Sequence, residues 1–151
     1  MNEQKNGSGA HGRILIVDDD PNTLEILRRW LNREGYTTVS ADNGPACLQA
    51  LSKEAVDVIV LDVMMPGMDG LQVCERLRES DAWRGIPVML LTAKDDLETR
   101  SRGMMLGVSE YLTKPVNKLE LFARLQAQLH SRELERRMEA TAATVDELEK
   151  K

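Results

Sequence analysis

Hydrophobic positions along the chain fall into short unbroken runs, separated by longer segments in which they recur at helical spacing. Ile14-Leu15-Ile16-Val17, Val58-Ile59-Val60-Leu61 and Val88-Met89-Leu90-Leu91 are continuous apolar runs, the pattern of strands covered on both faces. Strands are predicted over 13–17, 56–61 and 86–91, with a weaker one over 37–40 and a short one ending at Tyr111-Leu112. Leu24, Leu27 and Leu31 stand at i, i+3 and i+7, which makes one stripe of a surface helix. Asp20-Pro21 opens that helix with a capping acid and a proline at the first helical position, and Gly35 closes it. Further helices are predicted over 45–53, 71–78 and 95–106, and from Asn117 onward.

Strand and helix alternate five times with short turns, which implies parallel pairing, right-handed crossovers and helices on both faces of the sheet. The expected fold is therefore a flavodoxin-like, doubly wound α/β domain with a five-stranded parallel sheet in the order 2-1-3-4-5. Such sheets bind ligands at the carboxyl ends of the strands where the winding reverses, between strands 1 and 3 in this order. Those two strands run into Asp18-Asp19-Asp20 and Asp62.

Composition narrows the class of function. A chain of 151 residues with 42% hydrophobic and 30% charged side chains suits one globular domain plus accessories. A net charge of -5 argues against a broad basic surface, so direct nucleic-acid binding is not expected. Only Cys47 and Cys74 are present, each on a predicted amphipathic helix, and both read as buried free thiols. No stretch has the ~18 apolar residues of a membrane span, and no signal-peptide core precedes the first strand. A cytoplasmic setting is expected. Residues 1–12 are polar and glycine-rich and read as a disordered leader, 13–130 as the folded domain, and 131–151 as a helical extension.

Asp18, Asp19 and Asp62 on neighbouring strand ends would repel one another without a cation among them. A hard divalent ion such as Mg²⁺ suits an all-oxygen set, with Asp19 and Asp62 as direct ligands and Asp18 acting through water. Lys114, after strand 5, and Thr92, at the end of strand 4, add an ammonium and a hydroxyl to the same rim. Metal, ammonium and hydroxyl could each take one oxygen of a phosphoryl group carried on Asp62. Taken singly, an Asp-Asp pair is often a helix cap and Lys-Pro a solvated turn. All four features falling at the same end of a predicted strand is the stronger signal.

These residues closely resemble the receiver domain of bacterial two-component response regulators. The resemblance runs from about Arg13 to Leu129 and is carried by Ile14 to Asp20, Leu61 to Gly70, Leu91-Thr92-Ala93-Lys94 and Tyr111-Leu112-Thr113-Lys114-Pro115. It implies a phosphorylation-dependent switch that accepts a phosphoryl group on Asp62 from a sensor histidine kinase or phosphotransfer protein. It also implies Mg²⁺ (or Mn²⁺) held by Asp18, Asp19, Asp62 and the backbone carbonyl of Met64, with Thr92 as switch hydroxyl, Lys114 as phosphate-pairing cation and Tyr111 as switch aromatic. Family members have a cis bond at the position of Lys114-Pro115, and the positions of Met64 and Lys94 tune the rate of dephosphorylation. Met64 offers no amide or carboxylate to hold an attacking water, so slow self-dephosphorylation is expected. The helix 4, strand 5, helix 5 face would then control an output domain or downstream protein.

Tyr111 has a plainer reading, an edge-strand ring packed on helix 4. Met64, Met65, Met68, Met104 and Met105 read as gap fillers or docking surface, Trp30 and Trp83 as structural, and His11 and His130 as lying outside the acidic cluster.

From Asn117 no helix breaker interrupts the chain. Leu134, Met138, Thr141, Val145 and Leu148 alternate spacings of four and three, an a/d seam, and residues 131–151 mix five cationic with six acidic side chains. The segment reads either as a coiled coil that pairs two copies or as a linker helix to an output domain. Upstream, Phe122, Gln126 and Leu129 are expected to face the sheet. Two other classes of function remain open on the residues alone: a phosphorylation-independent dimerising scaffold, and a phosphatase with an aspartyl-phosphate intermediate. The acid after strand 3, rather than strand 1, and the lack of room for a cap domain disfavour the latter.

Overall fold

The structure, a computed structural model, describes residues 12–93 and 96–149, with side chains as far as residue 142. The strands are β1 (Arg13–Val17), β2 (Thr37–Ala41), β3 (Val58–Asp62), β4 (Val88–Thr92) and β5 (Glu110–Thr113). They alternate with helices α1 (Pro21–Arg33), α2 (Gly44–Lys53), α3 (Gly70–Arg78), α4 (Leu97–Met105) and α5 (Lys118–Glu149). All pairings are parallel and the order is β2-β1-β3-β4-β5, as the alternation predicts.

Because successive side chains of a strand point to opposite faces, the apolar runs feed two separate cores. Ile14, Ile16, Val58, Val60, Met89 and Leu91 meet Leu27 and Leu31 of α1 and Leu121 and Leu125 of α5 on one face. Leu15, Val17, Ile59, Leu61 and Leu90 meet Cys47 and Leu51 of α2 and Leu71, Val73, Cys74 and Leu77 of α3 on the other. The central strands β1, β3 and β4 are thereby held rigidly, and their carboxyl ends with them. Cys47 and Cys74 are buried free thiols whose pKa values burial pushes up to about 12.

Element ends differ from the sequence reading for identifiable reasons. β4 begins after Pro87, which has no amide to donate to the ladder. α3 starts at Gly70 because Asp69 and Gln72 form a reciprocal capping box, with bonds of 2.9 Å in each direction. α4 starts later than expected, after Asp96, whose carboxylate accepts from the Thr99 amide at 3.1 Å. One phase in α5 needs correction: Leu121 and Leu125 are the fully buried residues, with Phe122 and Leu129 packed at their side, whereas Gln126 faces solvent. Of the expected leader at 1–12 only Gly12 is described, and it accepts from the Thr37 amide at 2.9 Å; the rest of it and the seam side chains Val145 and Leu148 lie outside the described residues.

Candidate functional site

Asp62 is the last residue of β3, in register with Leu91 of β4, and is only 2% exposed. The chain turns sharply behind it. Gly70 lies so close that an added Cβ would stand 2.6 Å from the Asp62 carbonyl oxygen, and its amide donates to Val63 O at 2.9 Å. Only glycine fits there. Gly67 supplies the left-handed backbone of the same turn, with φ of 78°.

Asp18 follows β1 and is fully buried; its amide continues the ladder by donating to Ala41 O at 3.2 Å. Its Oδ1 accepts from the Asp20 amide at 2.9 Å, which leaves Oδ2 facing the site. Asp19 is exposed. Carboxylate oxygens of Asp18, Asp19 and Asp62 lie within 4.8 Å of one another. Asp20 does not join them, because its oxygens accept from the Asn22 amide and the Thr23 hydroxyl, both at 3.0 Å, and cap α1.

Lys114 enters from β5, positioned by its own amide, which donates to Thr92 O at 2.9 Å. Its Nζ stands 2.9 Å from Asp18 Oδ2 and 3.2 Å from Asp62 Oδ1. The Met64 amide also donates to Asp62 Oδ1, at 3.3 Å, while the Met64 side chain points outward. The Lys114-Pro115 bond is cis.

Burial, and then the charge of Asp18, push the Asp62 carboxyl up to about 6 against the opposing pull of Lys114. Burial works against the Lys114 charge, but hydrogen bonding to Asp18 and the charges of Asp62 and Asp18 outweigh it and raise its pKa. Three carboxylates and one ammonium leave the site short of positive charge, and every convergent acceptor is a hard oxygen. This donor set fits Mg²⁺ and lacks the nitrogen or sulfur that a softer ion would favour.

Thr92 is buried beside this group, and its Oγ1 has no hydrogen-bond partner among the described residues. A buried hydroxyl left so costs about 1–3 kcal/mol. Tyr111 lies further along the same edge, as its plain reading anticipates: its hydroxyl donates to Arg100 O in α4 at 2.7 Å, and Gly103 leaves room for the ring. Lys94 lies outside the described residues.

No sequence signal marks Arg100, yet it stacks 5.7 Å from the Tyr111 ring centroid and donates to Thr113 Oγ1 at 3.0 Å. Arg78 was also missed: it ties α3 to the end of α4 by donating to Leu106 O and, at 2.8 Å, to Gly107 O. Neither had a local motif. Gly70 did have a signal, the Asp69-x-x-Gln72 cap.

The family profile described as response regulator receiver domain matches residues 14–126. Response regulator PleD of Caulobacter vibrioides is 43% identical over 115 residues, covering 76% of this chain and 25% of that protein. Response regulator MprA of Mycobacterium ulcerans is 43% identical over 123 residues, covering 82% of this chain and 52% of its own. Among solved structures, chemotaxis protein CheY4 of Vibrio cholerae superposes with a TM-score of 0.75 at 30% identity, covering 80% of this chain and all of that one. The chain belongs to the receiver domain family of two-component response regulators, whose function is phosphorylation-dependent signalling. It spans between a quarter and about three-fifths of the length of the curated relatives it matches. No helix among the described residues is long and apolar enough to cross a membrane.

Proposed function

We propose that Asp62 is the phosphoacceptor of a signalling switch, with Asp18, Asp19 and the Met64 carbonyl as its partners in holding Mg²⁺ (or Mn²⁺). The observation that carries this reading is the Lys114 ammonium bridging Asp18 and Asp62 while the Thr92 hydroxyl, buried beside them, has no partner among the described residues. Mg²⁺, when bound, would neutralise charge on the phosphoryl oxygens. The protein's own part is to present a carboxylate oxygen on a rigid strand end.

An Asp62 oxygen attacks phosphorus of a phosphohistidine in a sensor kinase or phosphotransfer protein. The P–O bond forms as the P–N bond breaks, and the electron pair leaves on the imidazole nitrogen, which takes up a proton. Lys114 pairs with one phosphoryl oxygen, exchanging a carboxylate partner for a phosphate. The Thr92 hydroxyl donates to another. Movement of Thr92 frees space toward Tyr111, and the α4–β5–α5 face changes for an output domain or downstream protein. The same residues return the group slowly to water, because the outward Met64 side chain offers nothing to position one. The chain thus catalyses its own modification and no turnover of outside substrates.

A groove of about 600 Å³ lined by Thr23, Ile26, Trp30, Pro115 and Val116 opens beside Lys114 and offers an apolar surface for the phosphohistidine donor to approach. A cytoplasmic setting follows from such a donor. The tail of α5 would pair two copies or lead to the output.

Incubation with a small phosphodonor and Mg²⁺ tests the assignment. Intact mass should rise by one phosphoryl group in the wild type and not in Asp62→Asn. Phosphate turnover with no adduct would point to a phosphatase, and inertness toward every donor to a scaffold.

A further inference from the structure

The own-domain side of α5 continues past the sheet. Leu121 and Leu125 are fully buried and Leu129 packs beside them; two further residues of the same stripe are Arg132 and Arg136. Arg132 donates to Gly85 O at 2.7 Å, and Arg136 pairs with Asp57 Oδ1 at 3.2 Å. Asp57 is itself fixed at the amino-terminal rim of the sheet, where its other oxygen accepts from the Arg13 amide at 2.8 Å. Where leucines run out of sheet to pack on, arginines reach back to it.

At about 100° of rotation per residue, Leu134, Met138 and Thr141 lie on average about 180° from the arginine pair. Leu134 is 44% exposed and Met138 70% exposed, so the described part of the seam is turned away from its own domain and uncovered. Val145 and Leu148 carry the same spacing onward in the sequence. An a/d seam is complementary to itself, because each knob fits the hole formed by the matching residues of an identical helix. With five cations and six acids over 131–151, two such tails meet with little net repulsion.

We infer that the occupant of this seam is a second copy of the chain in parallel register, while Arg132 and Arg136 clamp the opposite side of each helix to its own domain. The two domains then flank the paired helices at one end without competing for the seam. This rests on the pairing option of the functional reading above and specifies its partner, orientation and anchoring; it is independent of whether Asp62 accepts phosphate.

Sedimentation of the full chain should show a dimer that forms with rising concentration. Met138→Glu should weaken it at least about tenfold, since two like charges would then meet in the seam. Leu119→Glu, exposed in the first turn of α5 and outside the seam, should leave it unchanged. Under oxidising conditions Leu134→Cys should give a disulfide-linked dimer, which parallel register requires of a symmetric position, and Glu139→Cys, on the clamped side, should not.

A monomer at all concentrations, a dimer lost through Leu119→Glu instead, or cross-linking from position 139 would each overturn the inference. Phosphoryl uptake measured by mass keeps the two readings apart: Met138→Glu should still take up the group, whereas in the wild type uptake without pairing sinks only the interface and pairing without uptake sinks only the switch.

Discussion

The Lys114 ammonium stands 3.2 Å from Asp62 Oδ1, joining the ends of β5 and β3 across the intervening strand β4. That cation offsets only part of the repulsion and burial acting on Asp62, whose pKa remains raised to about 6. Since this exceeds the ordinary value of 3.8, the ionised carboxylate costs the folded state free energy. The cost is complete above about pH 6 and is relieved as pH falls from there toward 4. Asp62→Asn should therefore stabilise the metal-free protein at pH 7 by about 2–3 kcal/mol, with the difference vanishing near pH 4. Urea titrations across that range, with chelator, check this. Saturating Mg²⁺ should reduce the gain, and an Asn variant less stable than wild type at pH 7 without metal would contradict it.

Thr92 should behave unlike a typical buried threonine. Its hydroxyl has no partner to lose among the described residues, so Thr92→Val is expected to change the stability of the unphosphorylated chain by less than about 1 kcal/mol, or to raise it. Thermal melts of the two proteins decide the point. A loss well beyond that would mean that the hydroxyl is satisfied in solution.

Gly103 and Tyr111 are expected to be coupled. An alanine Cβ at 103 would stand 2.7 Å from the Tyr111 hydroxyl oxygen. Gly103→Ala should cost about 1–2 kcal/mol despite alanine's better helix propensity. Tyr111→Phe, which gives up the bond to Arg100 O, should cost about 1 kcal/mol. The double variant should lose clearly less than the sum, because the clashing atom is gone. Strict additivity in a double-mutant cycle would deny the contact.

Met64 points into solvent, so replacing it should leave stability within about 0.5 kcal/mol. Met64→Asn would put an amide beside the phosphoryl group, and the lifetime of the adduct should shorten. Following its decay by mass gives the rate directly; an unchanged or longer lifetime would remove Met64 as a determinant.

Much of this arrangement is legible in the sequence because it depends on where strands end. Asp18, Asp62 and Thr92 each close an unbroken apolar run, and Lys114 follows the last short strand, so topology alone brings them to one rim. The bonds among them are not legible in the same way. Whether Lys114 meets Asp18, Asp62 or water depends on side-chain reach across β4, which no spacing encodes. Arg78, Arg100, Arg132 and Arg136 act through backbone carbonyls or distant carboxylates, partners that leave no pattern along the chain. The sequence pattern alone misplaces Gln126 because two stripes one residue apart both fit the helical period, and only the seating of α5 on the sheet selects Leu121 and Leu125.

Phosphate on Asp62 is expected to alter the α4–β5 surface, and hydrogen exchange measured on the adduct checks whether it does. Forming the adduct should change amide protection across residues 97–113 in the wild type, and Thr92→Ala should take up the phosphoryl group with that change largely lost. An adduct whose effect stays within the loop that follows Asp62, or is the same with and without the Thr92 hydroxyl, would contradict the switch.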